Sequence, residues 1–130
     1  VGAPGLPVDE SKRPAKGTRE IDATGKFVLP GFINLHGHIH SYGTGQDVPP
    51  DYIFKLWLMH GVTTVREVGN DKGAAFSVDL KRASARNEID APRLYIYPFF
   101  GSFGSEEVNT PDAARRQIRA FKSAGADGVQ

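Results

Sequence analysis

The chain has 130 residues, of which 39% are hydrophobic, and this size and composition suit one ordinary domain with a core. Sixteen basic and fifteen acidic residues are mixed along it, so the net charge of +1 provides no electrostatic footprint for nucleic acid or an anionic membrane. The lack of cysteine excludes disulfides, thiolate ligands and a cysteine nucleophile, and no apolar run approaches the roughly 20 residues of a membrane helix.

The N-terminal segment is predicted to contain little regular structure. Residues 1–20 are rich in proline and glycine and have no sustained hydrophobic period, which is typical of loop with short extended pieces. In the following stretch, IDATGKFVLPG, a turn at Thr24, Gly25 and Lys26 predicts a short hairpin that leads into Phe27 to Leu29.

Strands and helices alternate from residue 31 onwards. Apolar runs and helix caps predict strands at 31–38, 62–68 and 93–100, helices at 51–60, within 73–87 and from Thr110 to Gly125, and the start of a fourth strand at 126–130. The predicted inward-facing residues of the helices are Ile53, Leu56, Trp57 and His60; Phe76, Leu80 and Ala83; and Ala114, Ile118 and Phe121.

The predicted order β-α-β-α-β-α-β indicates parallel strands with right-handed crossovers, so the fold class is α/β. Four strands could form an open doubly wound sheet or half of an eight-stranded barrel. The sequence stops as its fourth strand begins, and its histidine-rich stretch lies at the carboxyl end of the first strand. Barrel enzymes carry their chemistry at that end, which favours the half barrel.

Three histidines alternate in PGFINLHGHIH, residues 30–40. Side chains two apart on a strand share a face, with Cα atoms about 6 to 7 Å apart, so His36 and His38 could converge on one zinc ion. Gly37 between them allows another group to approach closely. Exposed histidines near a loop are common. The spacing alone is therefore compatible both with a metal site and with a cluster of surface histidines that binds no metal.

The motif PGFINLHGH over residues 30–38 resembles the amidohydrolase superfamily, whose members carry Pro-Gly-Phe/Leu-Ile-Asp-x-His-x-His at the end of the first strand of a (β/α)8 TIM-type barrel. GVTTVREVG (61–69) and AGADGVQ (124–130) are similar to its imidazolonepropionase-like and prolidase-like branch. The resemblance implies that residues 1–29 are a remnant of a small β-sandwich domain with its linker, and that residues 30–130 are about the first four β/α units of the barrel.

By this resemblance His36 and His38 are metal ligands for Zn²⁺ or another divalent transition metal, with one or two ions in the full-length parent. The family completes its site with a lysine on strand four, histidines on strands five and six, and an aspartate on strand eight. Gln130 stands where the bridging lysine is expected, unless the register is shifted, and Asn34 replaces the motif's frequent aspartate. The proton-shuttling aspartate is expected beyond residue 130.

Further candidates lie near the predicted site mouth. His40 corresponds to no family ligand, and a loop position is favoured over a substrate contact. Arg66 and Glu67 end the second strand, where an ion pair between them is slightly favoured over a role at the site. His60, at a helix end, is expected to be structural. Tyr97, Phe99 and Phe100 could line a substrate pocket, but core packing is the commoner role of such residues.

The resemblance implies that the parent hydrolyses an amide, peptide or lactam-type C–N bond through a metal-activated water, on a small-molecule or dipeptide-like substrate. Two histidines make a weak site, so this chain alone is expected to be catalytically incomplete. A half barrel exposes apolar strand edges, so association with another copy or with the missing half of the barrel is also expected. A non-catalytic scaffold relative and a small α/β metal-binding domain stay open as alternatives. Nucleic acid and membrane are not expected partners, and the cytoplasm is slightly favoured as the compartment.

Overall fold

The computed structural model describes residues 11, 21–39, 48–101 and 108–130. The chain divides into two compact units, residues 1–30 and 31–130. In the first unit, Thr24 N–H donates to Asp22 Oδ1 at 2.9 Å, and Gly25 adopts a φ of +72°, which glycine accommodates without strain. The predicted turn is therefore confirmed. The predicted hairpin is wrong for the described part, since residues 21–30 contain no strand.

The second unit is an α/β structure, as predicted. The three strands found among its described residues form a parallel sheet in the order β1-β2-β3. The elements in chain order are β1 (Phe32–Gly37), α1 (Pro50–Met59), β2 (Val62–Glu67), α2 (Gly73–Ala85), β3 (Arg93–Ile96) and α3 (Pro111–Ala124). No helix in the described part of the chain is long and apolar enough to cross a membrane.

The predicted helix boundaries follow local chemistry. Pro50 begins α1, and Gly61, with a φ of +75°, follows its end. At the start of α3, the Thr110 hydroxyl accepts a hydrogen bond from Ala113 N–H at 3.2 Å. Gly125 ends this helix in the left-handed conformation, with a φ of +104°.

A small apolar core lies between the sheet and the helices. Its buried members are Ile39, Phe54, Val65, Val78, Leu94 and Ile96. Two predicted helix faces were partly wrong. In α1 the buried residue is Phe54, whereas Leu56 is exposed. In α3, Ile118 is exposed and Gln117 is buried, because the Gln117 side chain accepts a hydrogen bond from Gly101 N–H in the segment after β3.

Residues 126–130 run beside β3 without forming a regular strand. Asp127 N–H donates to Ile96 O at 2.8 Å and Gln130 N–H donates to Pro98 O at 3.0 Å, so the two segments run in the same direction. The Asp127 carboxylate accepts a hydrogen bond from Ile96 N–H at 2.8 Å and forms an ion pair with Lys81 at 2.7 Å. The predicted fourth strand is thus absent from the described residues, because this side chain replaces a backbone acceptor in the ladder.

Candidate metal centre

The end of β1 is shaped by an irregular register and by Gly37. Asn34 aligns with Val65 and Gly37 with Glu67, so β1 uses one residue more than β2 over this step. A Cβ atom on Gly37 would lie 2.8 Å from Val65 Cγ1 and 3.0 Å from Trp57 Cζ2. Glycine is therefore the residue that fits between the two candidate ligands.

His36 and His38 lie together at this end of the strand. Their ring centroids are 5.2 Å apart and the rings meet edge to face at 75°. Both line a cavity of about 370 Å³ together with Asn34, as the alternation of the strand predicted, and residues of α1 form its other side. His36 is exposed and His38 is half-buried, so the cavity gives solvent access to the pair.

The His38 ring is oriented by its surroundings. Its Nδ1 lies 2.7 Å from the Gly69 carbonyl oxygen. A carbonyl oxygen can only accept, so Nδ1 carries the proton and the lone pair of the neutral ring is on Nε2. The Phe99 ring stacks on the imidazole with a centroid separation of 6.0 Å and an interplanar angle of 27°. This arrangement is typical of histidines that bind a metal through their other nitrogen.

Glu67 lies in the interior beside the loop that follows β2. Its residue exposure is 0%. Its Oε1 accepts a hydrogen bond from Asn70 Nδ2 at 2.9 Å, while Oε2 is buried with no hydrogen-bond partner in the described part of the chain. Burial raises the pKa of the Glu67 carboxyl, since burial disfavours its charge. Hydrogen bonds from Asn70, Ser77 and the Gly69 backbone act in the opposite direction, as does the charge that His38 carries when it is protonated.

Arg66 lies on the other face of the sheet, because neighbouring residues of a strand point to opposite sides. Its guanidinium lies 5.2 Å from the centroid of the Tyr97 ring. It lines a separate cavity of about 270 Å³ with Ile33, Leu35 and Tyr95 among others. The expected Arg66–Glu67 ion pair was wrong, since the structure places the two charges on opposite faces.

The remaining candidates are dispersed. His60 Nδ1–H donates to Leu56 O at 2.7 Å at the end of α1, as expected for a structural histidine. His40 falls outside the described residues. Gln130 contacts the segment after β3 through its backbone. Across the described ranges, no group of three or more His, Cys, Asp or Glu residues is placed to hold a metal ion.

Sequence reasoning missed the roles of Gly69, Asn70 and Ser77. Asn70 is buried, donates to Glu67 and to the Ser77 hydroxyl, and accepts from Lys72 N–H at 2.9 Å. Its place after a strand and a glycine marks a turn, and this local signal could have identified the residue as a loop anchor. Its partner Ser77 lies seven residues later, in α2, and carried no comparable sequence signal.

Comparison with known proteins places this geometry in context. No protein-family model matches the chain. It is 38% identical over 79 residues to the adenine deaminase of Methanoculleus marisnigri, covering 58% of this chain and 14% of that protein. It is 29% identical over 121 residues to the dihydroorotase of Staphylococcus aureus, covering 90% of this chain and 28% of that protein.

A solved structure of a candidate prolidase from Bifidobacterium longum superposes with a TM-score of 0.68 at 28% identity, over 84% of this chain and 28% of that one. The chain therefore spans less than a third of the length of each of these three proteins. These relatives are members of one superfamily and are matched through a partial, N-terminal region. The resemblance to the amidohydrolase superfamily that the PGFINLHGH motif indicated is confirmed by these relatives.

Proposed function

We propose that this chain supplies two metal ligands, His36 and His38, to a metal-dependent amidohydrolase that cleaves an amide, peptide or lactam-type C–N bond. One observation carries the proposal: the two imidazoles lie 5.2 Å apart beside a cavity. The hydrogen bond from His38 Nδ1 to Gly69 supports it, because it leaves a lone pair on Nε2. Neutral imidazoles suit Zn²⁺, with other divalent transition metals as the alternative.

The donor set fits part of a metal centre. A divalent ion bound there would lower the pKa of a water towards about 7 and polarise the scissile carbonyl. In this chain His36 and His38 would hold the ion, and the Gly69 carbonyl would keep the proton on His38 Nδ1. A separate acid must carry a proton to the leaving group, and we assign that role to an aspartate outside this sequence.

We further propose that residues 30–130 form about the first four β/α units of a TIM-type barrel and that residues 1–29 are a remnant of a small β-sandwich domain. The parallel β1-β2-β3 sheet and the likeness to the prolidase structure support this reading. The sheet face that carries Ile33, Leu35 and Tyr95 is exposed, at 63%, 65% and 42%. In a closed barrel such residues are packed in the interior.

The exposed face leads us to propose that the isolated chain associates, either with another copy or with the rest of the barrel. Size-exclusion chromatography with light scattering tests this directly. We expect a dimer or larger species at micromolar concentration, and Leu35→Glu should shift it towards the monomer. A wild-type chain that stays monomeric throughout would contradict the proposal.

Zinc affinity tests the proposed ligands. Competition with a chromophoric chelator should show that His36→Ala and His38→Ala each weaken binding by at least about tenfold, the loss that removal of even an outer hydrogen-bond partner can cause. His60→Gln is the matched control, because it removes an imidazole that contacts the helix end. A wild-type chain without zinc affinity would favour the non-catalytic scaffold relative.

Catalytic incompleteness is tested on the same preparation. The zinc-loaded chain should show no hydrolysis of dihydroorotate or of dipeptides above the rate of the buffer with zinc. The full-length parent, with its remaining ligands, should hydrolyse a substrate of this small-molecule or dipeptide-like class. Turnover by the isolated chain that zinc restores after chelation would refute the incompleteness.

A further inference from the structure

The loop after β2 and the residue Phe99 both contact the His38 ring. Gly69 provides the carbonyl that lies 2.7 Å from Nδ1, and Phe99 stacks on the ring at 6.0 Å. The two residues also contact each other, since a Cβ on Gly69 would lie 2.6 Å from Phe99 Cδ2. With its φ of +105°, Gly69 therefore occupies a position where both the backbone and the available space favour glycine.

The loop that presents the carbonyl is itself anchored. Val68, Gly69 and Asn70 are all buried, and Val68 N–H donates to Gly37 O at 3.0 Å. Asn70 ties the loop to Glu67 at 2.9 Å and to Lys72 N–H at 2.9 Å. Hydrogen bonds fix the loop on both sides of Gly69, so the fold sets the position of the Gly69 carbonyl. The His38 ring is therefore oriented by this fixed acceptor.

From this geometry we propose that Gly69 and Phe99 are positioning residues, which hold His38 in the Nδ1–H tautomer and fix its ring so that Nε2 is the ligating nitrogen. The metal-binding part of this inference rests on the proposed function, whereas the tautomer does not. Both contacts are made by residues about 30 and 60 positions away from His38, so the ring orientation belongs to the fold and not to the HxH motif.

The tautomer is measurable in the metal-free chain by long-range ¹⁵N–¹H NMR of the histidine side chains. We expect wild-type His38 to give the Nδ1–H pattern of the neutral ring. His60, whose Nδ1 donates to Leu56 O, provides an internal reference for the same tautomer. A wild-type His38 in the Nε2–H form would overturn the proposal.

Phe99→Leu tests the stacking contact with a conservative change, and Phe100→Leu is the matched control at an exposed neighbour. We expect Phe99→Leu to give a mixture of His38 tautomers and to weaken zinc binding about tenfold, while His60 is unchanged. Phe100→Leu should alter neither. If Phe99→Leu keeps both the tautomer and the affinity, Phe99 has no positioning role.

Gly69→Ala provides a second variant, which should displace Phe99 and disturb the same His38 signals.

These measurements distinguish the proposed metal site from the proposed positioning role of Gly69 and Phe99. A wild-type chain with the expected tautomer but no zinc affinity would contradict the proposed metal site and leave the positioning intact. A chain that binds zinc through His38 with the opposite tautomer would contradict the positioning alone.

Discussion

Replacing Gly37 with alanine introduces a methyl group into a space that the side chains of Val65 and Trp57 already occupy. The new Cβ would lie 2.8 Å from Val65 Cγ1 and 3.0 Å from Trp57 Cζ2, against an ordinary carbon–carbon separation of about 3.5–4.0 Å. Val65 is fully buried and cannot move into solvent. Overpacking of this kind costs about 1–3 kcal/mol. Alanine also lowers the conformational entropy of the unfolded chain relative to glycine, and this offsets about 0.4–1 kcal/mol of that cost.

We therefore expect Gly37→Ala to lower the free energy of unfolding by roughly 1–2 kcal/mol. Urea unfolding followed by far-UV circular dichroism measures this, with the fluorescence of Trp57, the single tryptophan, as a second probe. Met59→Ala, at an exposed position of α1, is the control and should change stability by less than about 0.5 kcal/mol.

A double-mutant cycle sharpens the test. Val65→Ala removes the clashing Cγ1 atom and by itself costs about 1.6 kcal/mol, the value of two buried methyl groups. In the double variant the steric part of the Gly37→Ala cost should fall, which gives a favourable coupling of about 1 kcal/mol. Additive effects, or a Gly37→Ala variant as stable as the wild type, would refute the steric reasoning.

Two further predictions concern stability. Thr110→Ala should cost about 1 kcal/mol in urea unfolding, because the Ala113 N–H loses its capping acceptor, whereas Thr110→Ser should retain most of the stability; equal losses in both would contradict the cap. Burial raises the pKa of Glu67 above its ordinary 4.5, so the folded chain binds the proton more tightly than the unfolded chain. The stability of the wild type should fall as pH rises from about 4.5 through the folded-state pKa of Glu67, relative to Glu67→Gln; parallel pH profiles for the two proteins would contradict this.

Much of the fold could be predicted because local chemistry fixes it. The Thr110 cap, Pro50 and the left-handed Gly25, Gly61 and Gly125 mark boundaries that depend on neighbouring residues alone. Helix faces were less predictable, since Phe54 and Gln117 are buried by what packs against them and not by their own period. The missing fourth strand has the same origin, because Asp127 reaches Ile96 across 31 residues.

The candidate site divides in the same way. The alternation of β1 was sufficient to bring Asn34, His36 and His38 to one cavity. It could not show that the Gly69 carbonyl and the Phe99 ring fix His38, since both come from distant parts of the chain. The prediction of an ion pair between Arg66 and Glu67 was wrong, because neighbouring side chains of a strand point to opposite faces of the sheet.

The binding of one divalent ion by His36 and His38 together is tested most directly by X-ray absorption at the zinc edge of the zinc-loaded chain. We predict two imidazole ligands per zinc in the wild type, one in His36→Ala and in His38→Ala, and two in His60→Gln. An imidazole count that is unchanged in both His36→Ala and His38→Ala, or that falls in His60→Gln, would contradict this assignment.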